Sequence, residues 1–143
     1  MSEIEQRKPF EIELQLPVKT YDIDFAGIVS NIVYVRWLED LRLEMLSSFF
    51  PLQEQVANGF APIVLQTTID YKQSIQMHDR PIGKMWMESL ASLRWVVGAE
   101  ILLAEKVSAI AQQTGIFVNL QTKKPLRIPD RLQQQYNESR SRL

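Results

Sequence analysis

Apolar and polar residues alternate over Phe10-Glu11-Ile12-Glu13-Leu14-Gln15-Leu16, the pattern of a half-buried strand. Pro17 interrupts it and Val18-Lys19-Thr20-Tyr21 resumes it, so an edge position or bulge is expected at the proline. Asp22 to Gly27 reads as a turn. From Ile28 the period lengthens to about four, which predicts a helix to near Phe50, ended by Pro51. Ile32, Val35, Leu38, Leu41, Met45 and Phe49 fall near one face, widened by Val33, Trp37 and Leu43. Arg36, Asp40 and Glu44 form the opposing stripe, with Arg36 and Asp40 an i,i+4 pair. A helix covered over most of its circumference, as by a curved sheet, would carry this pattern.

Asn58-Gly59 is a turn signal before a second strand, residues 61–71. Residues 75–81 look like a loop, and 83–90, 95–105 and 107–121 like three further strands, with a tight hairpin at Glu105-Lys106. Gly98 and Gly115, isolated in strand-like runs, predict bulges. Residues 1–9 read as a loosely attached arm. The polar segment from Asp130 reads as partly helical and then frayed, so about 131–143 is a second peripheral tail. Strand, helix, then four strands on short turns predict an α+β domain: an antiparallel sheet of about five strands around one long central helix.

Composition narrows the function classes. A chain of 143 residues suggests one domain, 1–143, and a net charge of −1 offers no surface for nucleic acid or an anionic membrane. No cysteine is present, which removes disulfides, thiolate metal sites and a cysteine nucleophile, and fits a cytoplasmic location. No apolar stretch reaches the ~20 residues that cross a bilayer, and the polar start carries no signal-peptide core. His78 is the sole histidine and lies in an expected loop, so no metal site is predicted.

The chemistry points to Tyr21-Asp22-Ile23-Asp24-Phe25-Ala26-Gly27-Ile28-Val29-Ser30-Asn31. It places a carboxylate, Asp24, just before a helix start, where unpaired N–H groups and the positive dipole end can hold an oxyanion. The competing reading makes Asp22 or Asp24 a helix cap or turn former. Asp22 is the more structural of the two. Lys123, Lys124, Arg127 and Arg131 form a small basic cluster, either a phosphate contact or a solvated strand end. Trp37, Trp86, Trp95, Phe49 and Phe50 read as core or interface.

Asp-x-Asp-x-x-Gly-Ile-Val followed by Asn31 and Tyr34-x-x-Trp37-Leu38-Glu39 resembles the 4-hydroxybenzoyl-CoA thioesterase family of hotdog-fold acyl-CoA hydrolases. Ala61-Pro62-Ile63-Val64, Tyr71, Asp79, Lys124-Pro125 and Ile128-Pro129 extend the resemblance over most of the chain. It implies a hotdog thioesterase domain that hydrolyses an acyl-CoA thioester to a free acid and CoA. Asp24 would be general base or nucleophile, and the amides around Gly27, Ile28, Val29 and Asn31 would bind substrate and oxyanion. Lys123, Lys124 and Arg127 are candidate contacts for CoA phosphates. Coenzyme A belongs to the substrate, so no separate cofactor is expected. The subunits would pair as a homodimer or homotetramer with acyl-CoA at their interface. Many relatives carry Tyr-His where this chain has Ser30-Asn31, so no histidine role transfers. An acyl carrier protein (ACP) thioesterase and a non-catalytic acyl-CoA-binding module are the alternatives.

Overall fold

The computed structural model describes residues 8–141. Strands β1 (Ile12–Gln15), β2 (Phe60–Tyr71), β3 (Ile82–Leu90), β4 (Trp95–Leu103) and β5 (Lys106–Asn119) form an antiparallel sheet in the order β1-β3-β4-β5-β2. A two-residue β6 (Pro125–Leu126) adds to β5. Helix α1 (Asn31–Phe49) shares one buried cluster with the inner faces of β3, β4 and β5. A short α2 (Leu52–Ala57) leads into β2, and α3 (Asp130–Ser141) closes the described chain.

Helix α1 starts three residues later than the period of four suggests. Ser30 is its N-cap, accepting the Ile32 N–H at 3.4 Å. Ahead of it Val29 bridges Ile23, and its N–H donates to the Ile75 carbonyl at 2.8 Å. Apolar spacing cannot separate β-branched residues paired across a loop from the first turn of a helix.

The buried face of α1 is also rotated from expectation. Val33, Tyr34, Trp37, Leu38, Leu41 and Met45 are buried, while Ile32, Val35 and Leu43 are exposed. Two apolar stripes are written into this helix, and packing against the sheet selected one. Arg36 pairs with Asp22 at 2.5 Å rather than with Asp40.

Helix and sheet approach closely where the sheet is small-featured. Ala99, Ala109 and Ala111 lie in the core cluster, and a Cβ on Gly83 would stand 3.0 Å from a Leu41 methyl. Register shifts occur at Val64/Gln66, Met87/Ser89 and Ile101/Leu102, so the bulge expected at Gly115 lies on the partner strand opposite it, Val64 pairing with Gly115 and Gln66 with Thr114, and none falls at Gly98. Both glycines lie under indole rings, Gly98 under Trp86 and Gly115 under Trp95.

Three segments differ from the sequence reading. Thr20 and Tyr21, expected as strand, join Asp22 in a 3-10 turn, because the Asp22 carboxylate accepts the Lys19 N–H at 2.9 Å and closes the backbone on itself. The polar tail is a packed helix: Leu132 and Tyr136 are buried, and the Tyr136 hydroxyl donates to the Glu88 carbonyl at 3.1 Å. Two residues of the right size per two turns suffice to dock α3, too few to raise a hydrophobic signal. Of the expected arm, residues 1–7 lie outside the described residues. Pro9 is held, its carbonyl accepting the Met87 N–H at 2.8 Å, and the Lys8 ammonium stands 3.7 Å from the centre of the Trp86 ring.

The β4–β5 hairpin turns on Ala104-Glu105, one residue before the expected position, with φ of 48° and 73°. Both are in the left-handed region, which disfavours side chains with a Cβ by roughly 1–2 kcal/mol each. Replacing the pair with Asn-Gly, the preferred residues of such a turn, should stabilise the protein by about 1 kcal/mol, read as a rise in the urea midpoint. An unchanged midpoint would mean the unfolded chain already favours the turn.

Candidate functional site

Asp22 ties the loop ahead of α1 to the helix. It is 1% exposed, accepts from Arg36 and Lys19 through its two oxygens, and its carbonyl accepts the Ser30 N–H at 2.9 Å. Residues 23–29 then form a tight loop between the bridged Ile23 and Val29. Within it the Asp24 N–H donates to the Ile28 carbonyl at 2.9 Å and the Gly27 N–H to the Asp24 carbonyl at 3.0 Å. Gly27 has φ +81° with open space where a Cβ would be, so its backbone, not crowding, requires glycine.

Asp24 is half-buried. Its Oδ1 accepts the Ala26 N–H at 2.8 Å, so it does form the turn. Its Oδ2 has no partner among the described residues. The turn that fixes the side chain therefore leaves one carboxylate oxygen free for chemistry.

The amides divide sharply. Those of Gly27, Val29 and Ser30 are engaged by Asp24, Ile75 and Asp22 carbonyls respectively, and cannot also hold a ligand. Ile32 and Val33 are capped by Ser30. Among the described residues, the N–H groups of Ile28 and Asn31 have no acceptor. The expected donor set of four is thereby reduced to Ile28 and Asn31, and the latter stands at the positive end of a 19-residue helix.

Two tyrosines, not singled out for chemistry in the sequence, complete this corner. The Tyr71 hydroxyl at the end of β2 donates to the Asn31 carbonyl at 3.4 Å. Its ring meets Tyr34 edge-on, with centroids 4.9 Å apart and planes at 89°. Burial, then repulsion from an ionised Tyr71, pushes the Tyr34 hydroxyl up to about 12, and burial raises Tyr71 as well. Tyr34 stands one turn past Asn31 in the motif, but only the path of β2 brings Tyr71 to it.

The raised Tyr34 value has a stability consequence. Below pH 10 both folded and unfolded chains keep the proton, and its contribution is fully present. Above pH 10 the unfolded chain ionises first, so stability falls until about pH 12. Tyr34→Phe should flatten the decline over that window in denaturant titrations. An unaltered slope would place the alkaline loss in other groups.

The remaining candidates lie apart. β2 runs from Phe60, opposite Asn119, to Tyr71, opposite Ala109. Lys123, Lys124 and Arg127 follow Asn119, so within one chain they are roughly 35 Å from the helix start at strand rise. His78, Asp79 and Arg80 line a cleft of about 620 Å³ against Leu16 and Pro17, and Asp79 also borders one of about 460 Å³ with Gln73 and Lys106. Neither cleft includes Asp24. Trp37 and Trp95 are core residues, and Trp86 lies outside that cluster on Gly98. A void of about 30 Å³ among Met45, Phe49, Phe50 and Phe117 marks the far end of α1. Among the described residues no helix is long and apolar enough to cross a membrane.

The model of the thioesterase-like superfamily matches residues 18–136. The chloroplastic acyl-acyl carrier protein thioesterase ATL3 of Arabidopsis thaliana is 26% identical over 126 residues, 87% of this chain and 66% of that protein, so the chain spans just under two thirds of its length. The long-chain acyl-CoA thioesterase FadM of Escherichia coli K12 is 22% identical over 129 residues, 89% of this chain and 98% of that one. Among solved structures, the DHNA-CoA thioesterase of Staphylococcus aureus superposes with a TM-score of 0.77 at 25% identity, covering 92% of this chain and 88% of that one.

Proposed function

The chain belongs to the thioesterase-like superfamily and has its hotdog fold, and from that premise we propose that it hydrolyses an acyl-CoA thioester to the free acid and CoA. The observation that carries the reading is the Asp24 carboxylate: one oxygen is held by the Ala26 N–H and the other is free, just ahead of a helix whose first N–H is unengaged. As general base Asp24 takes a proton from water while the water oxygen bonds the thioester carbon. As nucleophile it bonds that carbon itself and water then opens the anhydride. Either way the carbonyl oxygen gains the negative charge that the Asn31 amide at the helix start is placed to hold. Collapse breaks the C–S bond, and the CoA thiolate leaves and takes up a proton. No further cofactor enters these steps.

The reading includes a homodimer. β2 is a 12-residue edge strand with Ile63, Leu65 and Tyr71 exposed, a template for pairing with another strand. Two copies joined edge to edge by a two-fold axis pair antiparallel. The Phe60 end of one β2 then meets the Tyr71 end of the other. Lys123, Lys124 and Arg127 of one subunit are thereby carried toward the helix start of its partner, where they can contact CoA phosphates. In that pairing the substrate cleft at Asp24 is formed between the two subunits.

A second reading, hydrolysis of acyl-ACP, is favoured by the similarity to ATL3. Thiol release from a panel of acyl-CoAs, run beside acyl-ACPs of the same chain lengths, tests both. Faster turnover of one carrier assigns it. Absence of turnover on either, with tight acyl-CoA binding, would overturn hydrolysis in favour of a binding module. Sedimentation of the same sample should give twice the chain mass.

A further inference from the structure

An oxyanion is stabilised best by two or more donors aimed at one point. The helix start supplies one, the Asn31 N–H, because the neighbouring amides of Gly27, Val29 and Ser30 are engaged inside the loop and Ile32 and Val33 are capped. Ile28 lies on the loop before the helix, not on its first turn. The deficit meets an unassigned surplus. Tyr34 is only 4% exposed. Tyr71, packed edge-on against it, spends its hydroxyl on a 3.4 Å contact at the outer limit of a hydrogen bond. The acceptor of that contact, the Asn31 carbonyl, already has the helical bond from four residues on, so losing Tyr71 leaves it satisfied.

We propose that Tyr71 is a catalytic residue, the second oxyanion donor beside the Asn31 N–H, with Tyr34 as the positioning residue that holds its ring. This rests on the thioester hydrolysis argued above. From backbone dimensions the Tyr71 hydroxyl is no more than about 7 Å from the Asn31 nitrogen. Two donors on one oxygen span up to about 6 Å. The Asn31 carbonyl and N–H point to opposite ends of the helix, so the hydroxyl has to leave the carbonyl and swing to the N-terminal side, a movement open to a side chain exposed at the strand end. In the resting enzyme the hydroxyl is parked on the Asn31 carbonyl, and the developing charge draws it across. Both phenols stay protonated through the neutral range, because burial raises both, so each is a donor and neither a base.

Tyr71→Phe in the full chain removes the hydroxyl and keeps the ring edge-on against Tyr34. It should lower kcat by about 10²-fold with KM changed by less than about threefold, since the interaction forms mainly in the transition state. Tyr34→Phe should lower kcat less than Tyr71→Phe. A second readout does not depend on turnover. Acyl-CoA labelled with ¹³C at the thioester carbonyl, bound to Asp24→Asn, should show its infrared carbonyl stretch at lower frequency than in water. In Asp24→Asn/Tyr71→Phe part of that shift should be lost. Wild-type kcat in Tyr71→Phe, or an unchanged carbonyl frequency in the double variant, would overturn the proposal while leaving hydrolysis by Asp24 standing. A wild-type protein that turns over no thioester overturns hydrolysis, and this assignment with it.

Discussion

Asp24→Asn should lower kcat on the preferred thioester by about 10²- to 10⁴-fold, with an unchanged melting midpoint. The substitution separates turn from chemistry. The carboxamide oxygen can still accept the Ala26 N–H that the carboxylate accepts at 2.8 Å, so the loop keeps its shape. What disappears is an oxygen able to take a proton from water or attack a carbonyl. KM should change little, because the substrate carbonyl meets Asp24 only as bonds change. Asp22→Asn is the matched control: its carboxylate is buried between Arg36 and the Lys19 N–H, so its loss should appear in the melt before it appears in the rate. Thiol release measures the first effect and circular dichroism the second. Equal turnover by wild type and Asp24→Asn would remove this side chain from the mechanism. A single turnover in ¹⁸O-water then sorts the two roles, since an anhydride can leave label in the Asp24 carboxylate and general-base catalysis cannot.

Gly115→Ala should destabilise the fold by about 3 kcal/mol or more, at the upper end for overpacking and a large part of the roughly 5–15 kcal/mol that holds a domain together. A Cβ there would stand 2.1 Å from Cζ2 of Trp95 and 2.3 Å from the Ile63 carbonyl oxygen. The first neighbour is a buried ring in the core cluster, donating through its indole N–H to the Ile116 carbonyl at 3.2 Å, so it cannot swing aside freely. The second is backbone of the paired strand. Gly59→Ala is the comparison: with φ +84° and nothing within 4 Å it meets only the conformational penalty, about 1 kcal/mol. Combining Gly115→Ala with Trp95→Ala should be less damaging than the sum, since removing the ring gives back part of the space. Urea unfolding of wild type and the four variants tests the set. Equal midpoints for Gly115→Ala and Gly59→Ala would mean the β2–β5 pair separates at little expense.

The order of elements was legible in the chain because alternation of apolar and polar residues is a local property. The long strands β2 to β5 and the turn at Asn58-Gly59 follow from it, and so does the loop-to-helix motif that carries Asp24, since a turn former and a helix cap act within a few residues of themselves. Two equally apolar stripes on α1 could not be ranked, because the choice of Val33 over Ile32 is made by what the sheet offers opposite. The closeness that requires glycine at 98 and 115 was hidden for the same reason: the rings that cover them, Trp86 and Trp95, stand on neighbouring strands. Arg36 found Asp22 across the loop and not Asp40 on its own helix. Tyr71 reached the helix start only because β2 ends there. Local backbone chemistry thus wrote the elements and the acid. Which groups stand around that acid was decided by long-range packing, whose partners are far apart along the chain and leave no periodic trace in it.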